Sequence, residues 1–142
     1  MIVVDTTVLV YAVGSEHEYR EPCRSLVRAL QSGELRATTT VEVIQEFAHV
    51  RARRRGRADA RRLAVAYADL FSPLLTVTEA HLRRGLDLWS TRRRLGAFDA
   101  VLAAVAHQNE AEALVSSDQA FGRLPDVRHV VPDARGVARV LH

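Results

Sequence analysis

The sequence predicts an α/β fold: a mostly parallel central sheet with helices on both faces. Three observations predict it. Short apolar, β-branched runs (residues 2–5 and 113–117) end abruptly in polar residues, the mark of strands buried on both faces. Longer stretches with helical apolar spacing alternate with them, which calls for crossover connections between parallel strands. Carboxylates stand just beyond the strands, at Asp5 and Asp118, where open α/β sheets hold their ligands.

Each element has its own justification. Residues 2–5 form the first strand, and a short helix begins after Thr6. Glu16 to Ser32 is expected to be helical, with Leu26, Val27 and Leu30 facing inward and Gly33 as its stop. Leu35 to Thr38 is a short strand. Thr39 to about Arg54 is a helix with Val43, Phe47 and Val50 on one face. Gly56 breaks it, and Arg57 to Phe71 continues as a further helix that Pro73 closes. Leu74 to Thr78, LLTVT, is expected to be a strand. Glu79 to Arg93 is helical, Gly96 interrupts, and Phe98 to Gln108 is an apolar helix. Two strands follow, Ala113 to Ser117 and Val127 to Val131, and then a terminal helix over Val137 to Leu141.

At 142 residues with 48% hydrophobic content, the chain fits one folded domain spanning 1–142, large enough for a true core. No apolar run reaches the ~20 residues of a membrane span, and no secretion signal precedes the first strand. The single Cys23 excludes an internal disulfide and fits a reducing cytoplasm, as a residue on a helix face. All 20 basic residues are Arg, and the net charge is +3; that balance permits a polyanionic partner. The six His show no zinc-ligand spacing. No GxGxxG or GxxxxGK[ST] loop is present, so dinucleotides and P-loop nucleotides are not indicated.

The acids carry the functional argument. Asp5, Asp99 and Asp118 each have a structural role available, as a cap or a first-turn acid offsetting a helix dipole. Glu42 and Glu46 share a helix face. Thr39-x-x-Glu42 fits a capping box, which gives Glu42 a local role. Glu46 sits a turn deeper beside Val43, Phe47 and Val50, where a half-buried carboxylate needs a partner. Glu46 is therefore preferred as the functional acid, with Glu42 the alternative. Ser116 and Ser117 are placed to hydrogen-bond a neighbouring carboxylate or a metal-bound water, and Thr6 and Thr7 read likewise. Asp133 reads as a cap for the last helix, Asp126 as a turn residue, and Asp59, Asp69 and Asp87 as exposed helix positions. Several acids at one sheet edge require a cation or remain a strained cluster.

The segments MIVVDTTVLVYA, VIQEFAHV, FDAVLAAVA and LVSSDQAF, in this order, resemble the PIN-domain endoribonucleases, and among them the VapC-type toxins of toxin–antitoxin pairs. The resemblance covers nearly the whole chain. It implies a PIN-like three-layer α/β/α fold and an acidic pocket of Asp5, Glu46, Asp99 and Asp118 that holds Mg²⁺ or Mn²⁺. Asp5 and Asp99 are then direct ligands, with Glu46 and Asp118 acting directly or through waters. The expected activity is metal-dependent hydrolysis of structured cellular RNA such as tRNA, rRNA or mRNA. The sequence departs from many relatives at Thr7, where they carry Asn or Ser; Thr retains the hydroxyl.

Two Arg runs border the same segments. Arg51 to Arg57, with Arg61 and Arg62, follows the Glu46 helix, and Arg92 to Arg94 precedes the Asp99 helix. Arg51, Arg54, Arg55, Arg93 and Arg94 are the expected phosphate contacts. The resemblance also implies a cognate antitoxin that blocks the pocket, and a homodimer. The apolar residues Val8 to Tyr11 and the Leu63–Tyr67 region are the candidate surfaces for either, although most of them read first as plain core. A different class of function also fits the basic composition: a non-catalytic, Arg-rich nucleic-acid-binding module whose acids are helix caps.

Overall fold

The computed structural model describes residues 1–142. Strand β1 (Ile2–Val4) leads into α1 (Thr6–Val13) and α2 (Arg20–Gln31). The short strand β2 (Ala37–Thr38) is followed by two long helices, α3 (Val41–Arg55) and α4 (Arg57–Phe71). Next come α5 (Glu79–Thr91), α6 (Ala97–Gln108) and β3 (Ala113–Val115). A 3-10 turn (Gln119–Arg123), β4 (His129–Val130) and α7 (Ala134–Leu141) complete the chain. The four strands pair in parallel in the order β2-β1-β3-β4, and this is the expected α/β/α arrangement.

The order of the strands fixes where a site can form. From β1 the chain crosses to β2 on one side, then returns to β3 on the other. The crevice between the C-terminal ends of β1 and β3 is therefore the topological switch point. Ile2, Val3 and Val4 are buried on both faces of the sheet, which is why the run lacks alternation. Beneath α3 and α4 the core is aromatic: Phe47 meets Tyr67 edge to face at 5.0 Å, and the Tyr67 hydroxyl donates to the Leu9 carbonyl at 3.0 Å. Cys23 is fully buried in this core, and burial pushes its thiol up to about 12; it is an inert packing residue.

Two glycines set helix geometry. Gly56 links α3 to α4 at φ 86°, a left-handed value that side chains oppose. Gly85 lets α5 lie against α6: a Cβ there would meet the Val101 Cα at 2.7 Å.

Several local expectations are corrected. Residues 74–78 do not form a strand; one bridge, Thr40 to Leu75, is all that pairs. The reason lies in the partner. β2 ends at Thr38, and Thr40 already caps α3, so no extended backbone remains for 74–78 to follow. That cap is Thr40, which accepts from the Val43 amide at 3.2 Å; the Thr39 hydroxyl instead donates to the Val4 carbonyl at 2.7 Å. The Thr39–Glu42 capping box is thus absent, and the box that does form joins Thr78 and His81. α2 starts at Arg20, not at Glu16. Pro22 explains this, since a residue without an amide proton is accommodated in a first turn. Asp133 does cap α7, accepting from the Gly136 amide at 2.6 Å. No helix is long and apolar enough to cross a membrane.

Candidate active site

The β1–β3 register builds the floor of the site. Val4 pairs with Val115, so the residues that follow, Asp5 and Ser116, come out side by side. Asp5 caps α1 and is 5% exposed. Its Oδ1 accepts from the Thr7 amide at 2.8 Å and the Thr7 hydroxyl at 2.5 Å. Its Oδ2 accepts from the Ser116 hydroxyl at 2.5 Å. Thr7 Oγ1 in turn accepts from the Ser117 amide at 3.0 Å, and Ser116 Oγ accepts from the Asp118 amide at 2.9 Å. The turns after β1 and β3 are stitched together through hydroxyl groups. Thr7 therefore does the orienting that its hydroxyl permits.

Burial raises the Asp5 carboxyl above the usual range, and the hydrogen bonds from Ser116 and Thr7 only partly offset it; the charge of Glu46 adds to the rise. Asp99 lies in the first turn of α6. Its carboxyl is pushed up to about 7 by burial first, then by the charges of Asp5, Asp118 and Glu46. The neighbouring Asp118 side chain adds to that rise. Asp118 itself caps the 3-10 turn, accepting from the Ala120 amide at 2.9 Å. Its structural and site roles thus coexist.

Glu46 is exposed, not half-buried as expected. The buried stripe of α3 is Val43, Ile44 and Phe47, and Glu46 precedes Phe47 by one residue. It is thereby rotated off the stripe and onto the cleft wall. Glu42 and Glu46 both border the cleft, but only Glu46 bears on the charges of Asp5 and Asp99. The four expected acids are thus brought into one electrostatic neighbourhood.

No three His, Cys, Asp or Glu side chains stand close enough together to hold a metal ion among them. The donor set still suits a hard divalent ion. Mg²⁺ takes only one or two carboxylates directly and keeps several waters, and every donor here is oxygen. A cluster in which burial, and then the charges of neighbouring acids, push Asp99 up to about 7 is stabilised by positive charge.

The cleft holding Asp5, Glu46 and Asp99 has a volume of about 670 Å³. Its opposite wall is apolar, with Leu82, Leu86 and Phe98 lining it. Phe98 is 80% exposed, and Val41 and Trp89 are exposed too. This wall was not foreseen from the sequence; the only signal was an aromatic residue directly before Asp99. The surfaces that were foreseen fare differently. Val8, Leu9, Ala64 and Tyr67 are buried core, while Val65 is exposed.

The arginines also divide. Arg51 Nε meets Asp59 at 2.6 Å and its Nη1 donates to the Val13 carbonyl at 3.2 Å, with little of the side chain exposed. It is a structural residue and is withdrawn from the phosphate contacts. This also corrects Asp59, which is partly buried rather than an exposed helix position. Arg54, Arg55, Arg93 and Arg94 are exposed and form no ion pair.

A doubly wound parallel sheet with carboxylates gathered at its switch point defines an α/β protein with an acidic pocket. Residues 2–127 match the PIN domain family, and the chain belongs to that family. It is 55% identical over 142 residues to Ribonuclease VapC7 of Mycobacterium tuberculosis, covering 99% of this chain and 98% of the relative. Among solved structures it resembles VapBC2 from Rickettsia felis bound to a DNA fragment from its promoter, with TM-score 0.70, 14% identity, and coverage of 92% and 98% of the two chains. It also resembles FitAB bound to an IR36 DNA fragment, with TM-score 0.72, 18% identity, and coverage of 93% and 95%.

Proposed function

We propose that the protein is a metal-dependent endoribonuclease, the toxin of a toxin–antitoxin pair, with Asp5, Glu46, Asp99 and Asp118 as its catalytic acids. The observation that carries this reading is the gathering of four carboxylates at the switch point of the sheet, where burial first and then the charges of Asp5, Asp118 and Glu46 raise Asp99 to about 7. The full-length likeness to Ribonuclease VapC7 supports the same reaction.

Asp5 and Asp99 would hold Mg²⁺ or Mn²⁺, with Glu46 and Asp118 close by. Such an ion, when bound, supplies positive charge against the phosphate and polarises water. The residues do the rest. The hydroxyls of Thr7 and Ser116 hold both Asp5 oxygens in one orientation. Glu46 or Asp118 accepts the proton of the attacking water. Arg54, Arg55, Arg93 and Arg94 attract the RNA backbone. The substrate is structured cellular RNA: tRNA, rRNA or mRNA.

The apolar wall of Leu82, Leu86 and Phe98 supports a further part of the proposal: an antitoxin segment docks there and blocks the acids. Solved toxin–antitoxin complexes among the structural neighbours favour such a partner. A homodimer, and a cytoplasmic setting consistent with the reduced, buried Cys23, belong to the same proposal; light scattering of the purified protein tests the first.

The deciding experiment incubates purified wild type, Asp5→Asn and Asp99→Asn with total cellular RNA and Mg²⁺ or Mn²⁺. Discrete cleavage products are expected from wild type alone, and EDTA should abolish them. Cleavage that survives EDTA or either substitution would overturn the reading in favour of an RNA-binding module with a contaminating nuclease.

A further inference from the structure

A second cleft, of about 400 Å³, opens beside the acidic one and shares Thr6 and Glu46 with it. Tyr11, His17 and Arg54 also line it. We propose that this cleft is a nucleotide subsite of the RNA path, in which a base next to the cleaved bond stacks on the Tyr11–His17 pair and its phosphate meets Arg54. The proposal rests on the ribonuclease reading and extends it to a residue that contacts substrate.

The aromatic surface is built, not incidental. The His17 and Tyr11 rings lie 4.5 Å apart, tilted by 31°. Tyr19 braces both edgewise, at 5.4 Å from Tyr11 and 4.9 Å from His17. The Tyr19 amide donates to His17 Nδ1 at 3.0 Å, which fixes the ring orientation and leaves Nε2 as the protonated nitrogen. His17 is nonetheless exposed, so the ring is held in place while open to solvent. Ordered aromatic faces beside a backbone-binding groove are how single-stranded nucleic acid is gripped without base pairing.

The charge pattern agrees. Arg54 has no carboxylate within ion-pairing reach, whereas Arg51, one turn earlier, is neutralised by Asp59. Glu16 and Glu46 also line the cleft and repel phosphate, which leaves Arg54, its one arginine, for the backbone and the aromatic rings for the base. The shared Thr6 and Glu46 make the subsite contiguous with the acidic cleft.

The test uses the full chain with Asp99→Asn, which blocks cleavage, and short RNAs carrying 2-aminopurine at successive positions. Fluorescence quenching at one position is expected. His17→Ala should abolish that quenching and weaken binding about tenfold, while His17→Phe should retain both. Arg54→Gln should weaken binding and lower the salt slope by about one unit. Quenching unchanged by His17→Ala, or lost equally in His17→Phe, would overturn the proposal. The enzyme reading is judged separately, by whether wild type cleaves the same RNAs with Mn²⁺. Wild-type cleavage with no His17 dependence of quenching removes the subsite and leaves the nuclease.

Discussion

The Ser116 hydroxyl donates to Asp5 Oδ2 at 2.5 Å, across a sequence separation of 111 residues. The contact follows from the Val4–Val115 pairing and occupies one of the two oxygens of the most buried acid in the site. Partners that orient a metal-binding carboxylate typically contribute 10–100-fold to affinity or activity. Ser116→Ala is therefore expected to lower RNA cleavage by about tenfold or more and to weaken Mn²⁺ binding in titration calorimetry. Ser116→Thr, if its hydroxyl is accommodated, should recover part of the loss. An unchanged Mn²⁺ affinity in Ser116→Ala would remove Ser116 from the site's support.

Stability should fall as pH rises in metal-free protein. Asp99 is raised to about 7 from 3.8, and Asp5 is shifted in the same direction. Between those values the folded chain binds more protons than the unfolded chain, so stability is highest near pH 4 and is lost through pH 7. The lowered carboxyls of Asp59 and Glu112 act with the opposite sign, but from their ordinary values of 3.8 and 4.5 downward. Thermal melts from pH 5 to pH 8 in EDTA should show a declining Tm that Asp99→Asn flattens. A Tm that climbs across this range would contradict the shift.

The two helix acids should separate by function. Glu46→Gln is expected to cut cleavage strongly and to lower the pH at which activity rises, because one charge raising Asp99 is removed. Glu42→Gln should leave both properties near wild type. The pH–rate profiles of the two variants decide this.

Arg51 and the Arg93–Arg94 pair should likewise part. Arg51→Gln releases Asp59 and the Val13 carbonyl, so a lower Tm is expected with RNA affinity nearly unchanged. The double substitution Arg93→Gln, Arg94→Gln should preserve Tm and reduce the salt dependence of RNA binding. Filter binding across a range of salt concentrations measures the second effect.

Gly85→Ala tests the α5–α6 contact. The added methyl would meet the Val101 Cα at 2.7 Å, a backbone atom that cannot swing aside. A loss of about 1–3 kcal/mol is expected, read as a lower urea midpoint. Because α6 carries Asp99, cleavage should fall with it.

How far the sequence was legible depended on whether a signal was local. β1 and β3 read correctly because their apolar runs are bounded sharply by polar residues, and the acids beyond them follow at once. Residues 74–78 misled because LLTVT has strand composition, while pairing depends on a partner that ends at Thr38. The Thr39–Thr40 exchange of roles turns on one long-range bond, Thr39 to the Val4 carbonyl, which no spacing rule contains. The expected start of α2 at Glu16 is too early; Pro22 is the signal for a start at Arg20, and with it for the non-helical segment that carries His17. Glu46 was chosen on an expectation of burial that does not hold; its position beside the other acids depends on how α3 crosses the sheet. The Leu82, Leu86 and Phe98 wall was invisible because its residues come from two helices whose own patterns read as ordinary amphipathic faces.

The placement of β1 at the interior of the sheet has a consequence for biosynthesis. Asp5 is made 111 residues ahead of Ser116, and its support arrives only when β3 docks. A polypeptide truncated before Val115 has the opening acid and the Glu46 helix but no floor to hold them. The assembled acidic pocket is thereby withheld from partial products that lack β3.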